Sequence, residues 1–206
     1  LIVYKVNNGY NIYTDFSKKF FLTNKNIGNF LKLFSKKKYK KETDLLIGFF
    51  GYDILCKLLN LNTNNQKKIN FYKGIFYKPE TLIKIRKNIK FFSAKIYSTI
   101  HSSKRENDLI VSDKKFFYEK KFRLNLSQEK YKKFFNSFSK KIRQGKTYQI
   151  KICQKYRNKS NIDAVQFFWK LMKINTSPEA FMIRDSNFSI ISCSPETLID
   201  KKKNKI

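Results

Sequence analysis

The chain has 206 residues, of which 41% are hydrophobic and 17% aromatic, a composition that supports a folded core and argues against intrinsic disorder. Its 45 lysines and arginines outnumber 15 acidic residues, so the formal net charge is +30, a balance that suits nucleic acid or another anionic surface. Because arginines are few and lysines are scattered among Asn, Ile, Phe and Tyr, AT-rich codons explain the charge better, and a basic nucleic-acid-binding protein stays an alternative.

Apolar runs and cysteines bear on the compartment of the protein. No apolar run reaches the roughly 18 residues that a membrane-spanning helix needs, and Leu1–Val6 is too short for a secretion signal. Since the first residue is Leu1 and not methionine, we expect the N-terminus to be incomplete. Three widely spaced cysteines favour a reducing, cytoplasmic location over a disulfide framework or a zinc site.

The first hundred residues predict a mainly β region with one helix. Asn7-Asn8-Gly9 lies between two apolar runs, a pattern typical of a β-hairpin. Apolar residues recur at helical spacing over residues 27–34 and predict an amphipathic helix. Residues 45–53 predict a buried strand in which Gly48 and Gly51 mark a bulge or the close approach of another backbone.

Strand and linker signals continue to residue 121. Residues 71–85 predict a pair of strands, with Pro79 near a turn or an edge. The polar stretch between Thr99 and Lys121 predicts an exposed connection between two structural regions. We therefore predict a β-rich N-terminal region over residues 1–110 and a second, incomplete domain over residues 118–206.

The second region begins with a predicted helix and strand. Ser127 can cap a helix whose apolar residues recur at helical spacing, and Gly145 is a natural stop. Thr147–Tyr156 alternates apolar and polar residues, which predicts a half-buried strand with Gln149 and Lys151 on its second face.

A second helix and a hairpin complete the predicted order of elements. Residues 162–173 predict the helix, with aromatic residues that favour a core over a ligand-binding role. Residues 180–183 and 188–193 predict the two strands of the hairpin. The chain is therefore expected to be α+β, with antiparallel β-sheets and flanking helices.

Four motifs carry a resemblance to a known family, and they occur in a family-like order: Gly48–Asp53, Ile142–Ile150, Asn175–Pro178 and Ser192–Ile199. The chain resembles the chorismate-utilising enzymes. Within them it is most similar to component I, the large subunit, of anthranilate synthase, with component I of aminodeoxychorismate synthase as a close competitor. The resemblance implies that the chain is truncated, since it ends ten residues after Glu196, within the chorismate-binding domain.

The resemblance implies an amination of chorismate to anthranilate and pyruvate, in tryptophan biosynthesis. Ammonia adds to the ring while a hydroxyl group leaves, and a hydroxyl group leaves readily only when it is protonated. Glu196 matches the general acid of the family. The alternative reaction is the formation of aminodeoxychorismate in the folate pathway.

Gln149 is matched to the side of the pocket where the nucleophile attacks. In the isochorismate-forming and salicylate-forming relatives, this position is a lysine that activates water. Glutamine is not a general base near neutral pH, so the resemblance favours ammonia, supplied by a glutamine amidotransferase subunit.

The resemblance also implies an effector site. Asn175, Ser177, Pro178, Glu179 and Ala180 match the segment that binds tryptophan as a feedback inhibitor. Thr176, Glu179 and Ala180 depart from the family pattern, so feedback inhibition stays open and the segment is alternatively a tight turn.

Magnesium is the cofactor that the resemblance implies. No metal ligand is expected within residues 1–206, because the family's metal-binding glutamates follow later in the sequence. We therefore expect the 206-residue chain to be inactive alone.

Overall fold

A computed structural model describes residues 1–36, 40–61, 71–88, 91–100, 121–175, 177–193 and 197. The fold is α+β with antiparallel sheets, as predicted. Among the described residues, no helix combines the length and apolar character needed to cross a bilayer.

The chain forms two compact units. Leu1–Val111 and Ala164–Ile206 make up the first unit, and Ser112–Asp163 makes up the second. The division into family domains at residues 110 and 118 stays a prediction. The compact units are divided differently, because the last helix and hairpin fold with the N-terminal strands.

The first unit contains seven strands and three helices among its described residues. Its strands are β1 (Ile2–Val6), β2 (Gly9–Phe21), β3 (Ile47–Phe50), β4 (Gly74–Lys87), β5 (Phe92–Ser98), β8 (Ala180–Arg184) and β9 (Ser189–Ser192). Its helices are α1 (Ile27–Lys36), α2 (Tyr52–Leu58) and α4 (Ala164–Ile174). The described part of the second unit contains β6 (Arg123–Leu124), α3 (Gln128–Arg143) and β7 (Tyr156–Arg157).

All seven strands of the first unit join one antiparallel sheet. Its order is β3-β4-β2-β1-β8-β9, and β5 also pairs with β4. β1 lies between β2 and β8, so Ile2 is opposite both Tyr13 and Ile183. This pairing places the C-terminal hairpin beside the first residues of the chain.

The predicted β1–β2 hairpin is confirmed. Val6 pairs with Gly9, which leaves Asn7 and Asn8 as the loop. Gly9 has a φ of +154°, and a Cβ atom there would lie 2.0 Å from the carbonyl oxygen of Ile85. Glycine is therefore required by both the backbone conformation and the neighbouring strand.

The predicted strand pair over residues 71–85 is wrong, because these residues form most of the single long strand β4. Pro79 lies between the part of β4 that pairs with β3 and the part that pairs with β5. It is also opposite a bulge in β2, where the register shifts between Phe16 and Lys18. Proline lacks the N–H that a continuous ladder needs, and an interruption of this kind accommodates it without a turn.

Alternate residues of the central strands enter core clusters on opposite faces of the sheet. The face that α4 covers contains Val3, Ile12, Val165, Phe168, Met172, Ala180 and Met182. The other face contains Ile2, Tyr13, Ile75, Tyr77, Leu82 and Ile183. A third cluster packs α1 and α2 against β4 and contains Leu22, Ile27, Phe30, Ile54 and Phe76.

The two glycines of the Gly48–Asp53 motif allow close backbone contact, as predicted. A Cβ atom on Gly48 would lie 2.0 Å from the carbonyl oxygen of Ile75, and one on Gly51 would lie 2.6 Å from that of Lys73. The predicted strand itself ends early, at Phe50, because α2 begins at Tyr52.

In the second unit, α3 matches its predicted caps. The Ser127 hydroxyl accepts a hydrogen bond from the Lys130 N–H at 3.3 Å, and Gly145 has a φ of +68° just beyond the helix. Its apolar stripe is not buried, however, and Phe135 is 54% exposed.

The predicted strand over Thr147–Tyr156 is wrong. Only Tyr156 and Arg157 are extended and paired, to Leu124 and Arg123 respectively. Residues 147–155 have no strand partner among the described residues, and Tyr148 is 92% exposed. Alternating apolar residues form a stable strand only where another strand and a core receive them, and this segment has neither.

Candidate functional site

Four of the residues predicted to bind an effector, Asn175, Ser177, Pro178 and Glu179, lie between α4 and β8 in what we call the α4–β8 loop, and the fifth, Ala180, is the first residue of β8. The Asn175 N–H extends the helical pattern by donating to the Leu171 carbonyl at 2.8 Å. The Asn175 side-chain oxygen then accepts the Ser177 N–H at 3.0 Å. The Ser177 hydroxyl donates to the Glu179 carbonyl at 2.7 Å. These local bonds hold a tight turn, which is the alternative that the sequence left open.

Two neighbouring strands contact the α4–β8 loop. The Lys5 ammonium of β1 donates a hydrogen bond to the Ser177 carbonyl. The Asn175 amide donates to the carbonyl of Cys193, just after β9, at 3.4 Å. Ala180, which follows the loop, pairs with Lys5 and is fully buried. Pro178 is exposed.

Glu179 links the loop to the last motif of the chain. Its Oε1 atom accepts a hydrogen bond from the Thr197 hydroxyl at 2.6 Å. Glu196, the predicted general acid, lies outside the described residues. Its role therefore stays a prediction.

Gln149 belongs to the second unit and is exposed. Its carbonyl oxygen accepts a hydrogen bond from the Thr147 hydroxyl at 3.2 Å. Gln149 and Lys151 were predicted to lie on one face of a strand, but residues 147–155 form no strand, so the two residues share no strand face. The placement of Gln149 beside a nucleophile stays a prediction from the resemblance.

A cluster of charged and polar groups that the sequence did not predict lies at the turn between β8 and β9. Asp185 accepts hydrogen bonds from the Lys19 ammonium at 2.6 Å and from the Tyr77 hydroxyl at 2.5 Å. Burial alone would raise the pKa of Asp185, but bonds from Lys19, Tyr77 and the Ser186 N–H outweigh it and hold that pKa at about 2.

The hydrogen bond between Tyr77 and Asp185 shifts their two pKa values in opposite directions: it lowers the pKa of Asp185 and raises that of Tyr77. Burial, with the adjacent Asp185 carboxylate, raises the pKa of the Tyr77 hydroxyl. Perturbed groups of this kind occur at functional sites and in structural ion pairs alike. Here each group is fully engaged by its partners and Tyr77 is only 2% exposed, so we assign a structural role: the cluster ties β2 and β4 to the last hairpin.

The described residues were also searched for groups of metal-binding side chains and for disulfide bonds. They contain no group of three or more His, Cys, Asp and Glu side chains that could hold a metal ion. Cys56, Cys153 and Cys193 are all free thiols. Burial raises the pKa of the Cys193 thiol, and the nearby Lys5 ammonium opposes this change.

Sequence reasoning missed Lys5 and Thr197 as contacts of the loop. A lysine within the apolar run of β1 was an available signal, since a charged side chain in a central strand needs a partner. The partner itself was not readable, because Lys5 and Ser177 are 172 residues apart in sequence.

Comparison with known proteins identifies relatives of the chain. Residues 6–206 match the sequence profile of the chorismate binding enzymes. The chain is 25% identical over 195 residues to anthranilate synthase component 1 of Buchnera aphidicola subsp. Rhopalosiphum maidis, a match that covers 85% of the chain and 37% of that protein. It is 26% identical over 80 residues to anthranilate synthase component 1 of Haloferax volcanii, covering 39% of the chain and 15% of that protein.

Proposed function

Because the chain belongs to the family of chorismate binding enzymes, we propose that this protein converts chorismate and ammonia to anthranilate, pyruvate and water. The observation that carries the proposal is the match of most of the chain to relatives named anthranilate synthase component 1. The chain spans about 37% of the length of those relatives, so the activity, substrates and partners of the whole protein are part of the proposal.

The reaction requires a proton at the departing oxygen. A carbon–nitrogen bond forms between ammonia and the ring, and the carbon–oxygen bond to the ring hydroxyl breaks. Glu196 donates a proton to that hydroxyl, which leaves as water. Loss of the enolpyruvyl group as pyruvate and of a ring proton then gives the aromatic amine.

The identity of residue 149 favours ammonia over water as the nucleophile. Neutral ammonia attacks without a general base, whereas water needs one, and the Gln149 side chain does not accept a proton near neutral pH. A glutamine amidotransferase subunit supplies the ammonia in this proposal. In this proposal the cofactor is magnesium, and the protein is located in the cytoplasm.

The general-acid role is tested by Glu196→Gln in the product of the complete reading frame. Glutamine keeps the size of the side chain but has no proton of suitable acidity, so we expect turnover with chorismate, magnesium and ammonium to fall about 100-fold or more. Glu129→Gln, in the exposed first turn of α3, is the matched control and should retain turnover.

Near-normal anthranilate fluorescence from the Glu196→Gln protein would refute the general-acid role. The alternative function, formation of aminodeoxychorismate, is distinguished by its non-aromatic product and by the absence of pyruvate. A salt-dependent gel shift with no turnover of chorismate would instead favour the nucleic-acid-binding alternative.

A further inference from the structure

Two hydrogen bonds hold the residues on either side of residues 194–196, the part of the last motif that lies outside the described residues. Cys193 precedes these three residues, and its carbonyl accepts the Asn175 amide at 3.4 Å. Thr197 follows them, and its hydroxyl donates to the Glu179 carboxylate at 2.6 Å. The three residues that include the proposed general acid are therefore bracketed in sequence by two residues with defined partners.

The bond between Thr197 and Glu179 is the stronger of the two. An O–H donor and a carboxylate form a charge-assisted hydrogen bond, with a usual length of about 2.5–2.7 Å and roughly twice the strength of a neutral bond. The bond from Asn175 to Cys193 joins neutral groups and is long. We therefore assign the firmer hold on this part of the chain to Glu179.

Glu179 is itself anchored to the sheet. Its backbone carbonyl accepts the Ser177 hydroxyl at 2.7 Å. The next residue, Ala180, is the first residue of β8, pairs with Lys5 of β1 and is fully buried. Thr197 is therefore connected, through the side chain of Glu179, to a strand in the interior of the sheet.

A general acid depends on its position as much as on its acidity. It transfers a proton only when it is about 2.6–3.2 Å from the accepting atom, and a misplacement of about 1 Å can slow a reaction about 100-fold. Consecutive Cα atoms are about 3.8 Å apart, so a residue that is held at position 197 restricts where residue 196 can lie.

We infer that Glu179 is a positioning residue for the general acid Glu196 and that it acts through the hydroxyl of Thr197. This inference rests on the proposed function, because it needs Glu196 as the acid. Glu179 is one of the residues at which the chain departs from the family pattern, so the resemblance does not imply this role.

Variants of Thr197 and Glu179 test the inference in the product of the complete reading frame. Thr197→Val removes the hydroxyl but keeps the shape of the side chain, and Glu179→Ala removes the acceptor. We expect each change to lower kcat for chorismate roughly 10-fold, because the acid is retained but is less often in place. KM should stay near the wild-type value, since the bond acts on the acid and not on substrate binding. Thr197→Ser keeps a hydroxyl and should restore most of the turnover.

A double-mutant cycle separates this role from a general loss of structure. Glu179→Ala combined with Thr197→Val should lower kcat no further than either change alone, because both changes remove the same bond. Thr99→Val is the matched control and should retain kcat, since the exposed Thr99 hydroxyl bonds to the Glu80 carbonyl of β4. Thermal unfolding of each variant shows whether it is folded at the assay temperature.

A fall in kcat that Thr197→Ser reverses, with no further fall in the double variant, supports the inference. Near-normal kcat in Thr197→Val, equal losses in Thr197→Val and Thr197→Ser, or losses that multiply in the double variant overturn it. If Thr197→Val does not fold, Glu179→Gln decides the question, because glutamine keeps an acceptor oxygen: a higher kcat than that of Glu179→Ala supports the inference, and an equal kcat overturns it. A wild type that turns over no chorismate refutes the proposed function and this inference with it, whereas an active wild type with a normal Thr197→Val variant refutes the inference alone.

Discussion

Asp185 is a residue of the first unit whose pKa is lowered well below its ordinary value. Its carboxylate side chain is 9% exposed and lies 2.6 Å from the Lys19 ammonium. It also accepts the Tyr77 hydroxyl. Because these donors require the charged form, the folded state binds a proton at Asp185 more weakly than the unfolded chain does.

This difference predicts how stability depends on pH. The pKa of Asp185 is about 2 in the folded protein against 3.8 for an ordinary aspartate. A depressed pKa contributes stability that is fully present above the unfolded pKa and is lost as the pH falls through about 2. Asp185→Asn should therefore lower the free energy of unfolding by about 1–2 kcal/mol at pH 6, less than for a fully buried pair because Lys19 is screened by solvent.

Urea unfolding from pH 6 to pH 2 measures this effect. The difference between wild type and Asp185→Asn should stay constant down to about pH 4 and then shrink toward pH 2. Glu42→Gln is the control, because Glu42 also pairs with a lysine, Lys84, but is half exposed. A penalty for Asp185→Asn that is the same at pH 2 and pH 6 would contradict the assignment.

The candidate site was only partly predictable at the residue scale. The motif of Asn175 and Ser177 was recognisable, and so was its alternative, a tight turn. The contacts of Lys5 and Thr197 depend on pairing between distant parts of the chain, which residue spacing does not reveal. Glu196 was recognised through the resemblance alone, and its chemistry is still a prediction.

Elements whose signals are local were predicted well. The β1–β2 hairpin follows from its Asn-Gly turn, and α3 follows from Ser127 and Gly145. α4 buries Val165 and Phe168 as its apolar spacing predicts.

Elements that depend on a distant partner were predicted poorly. Alternation alone suggested a strand over Thr147–Tyr156, but no partner strand is present among the described residues. Pro79 suggested a turn, but it lies within the strand β4. It is opposite a bulge in β2, and it falls between the part of β4 that pairs with β3 and the part that pairs with β5. The pairing of β1 with β8 joins the two ends of the sequence and has no local signal at all.

Replacing either of two glycines by alanine should change the free energy of unfolding, but in opposite directions, because the glycines lie in different elements. Gly48→Ala in β3 would place Cβ 2.0 Å from the Ile75 carbonyl oxygen, which is backbone and does not move aside easily. We expect a loss of about 2–4 kcal/mol in the free energy of unfolding. Gly28→Ala in α1 meets no atom within 4 Å and should gain about 0.5–1 kcal/mol, because alanine favours the helix.

Chemical denaturation of both variants measures these changes on the same fold. The sign of the difference is the decisive outcome, since both substitutions add one methyl group. Equal effects of Gly48→Ala and Gly28→Ala would contradict the close approach of β3 to β4.

At the scale of the whole molecule, the chain is a folded, strongly basic protein that spans about 37% of the length of its relatives. Its first unit has three buried core clusters. The described part of α3 in the second unit has no buried residue, despite an apolar stripe. The second unit therefore presents apolar surface, including Phe134 and Phe135.

We predict that the purified 206-residue chain does not form anthranilate. The reason is the resemblance, which places the family's magnesium ligands later in the sequence than Ile206. Fluorescence with chorismate, magnesium and ammonium should stay at the level of the protein-free blank. A rate that scales with protein concentration would contradict this prediction.

The most direct test of the central claim is to identify the product formed from chorismate by the product of the complete reading frame. The assay supplies magnesium and isotope-labelled ammonium, and mass spectrometry identifies the products. We predict labelled anthranilate and an equal amount of pyruvate. Labelled aminodeoxychorismate without pyruvate, unlabelled isochorismate or salicylate, or no turnover of chorismate would contradict the claim.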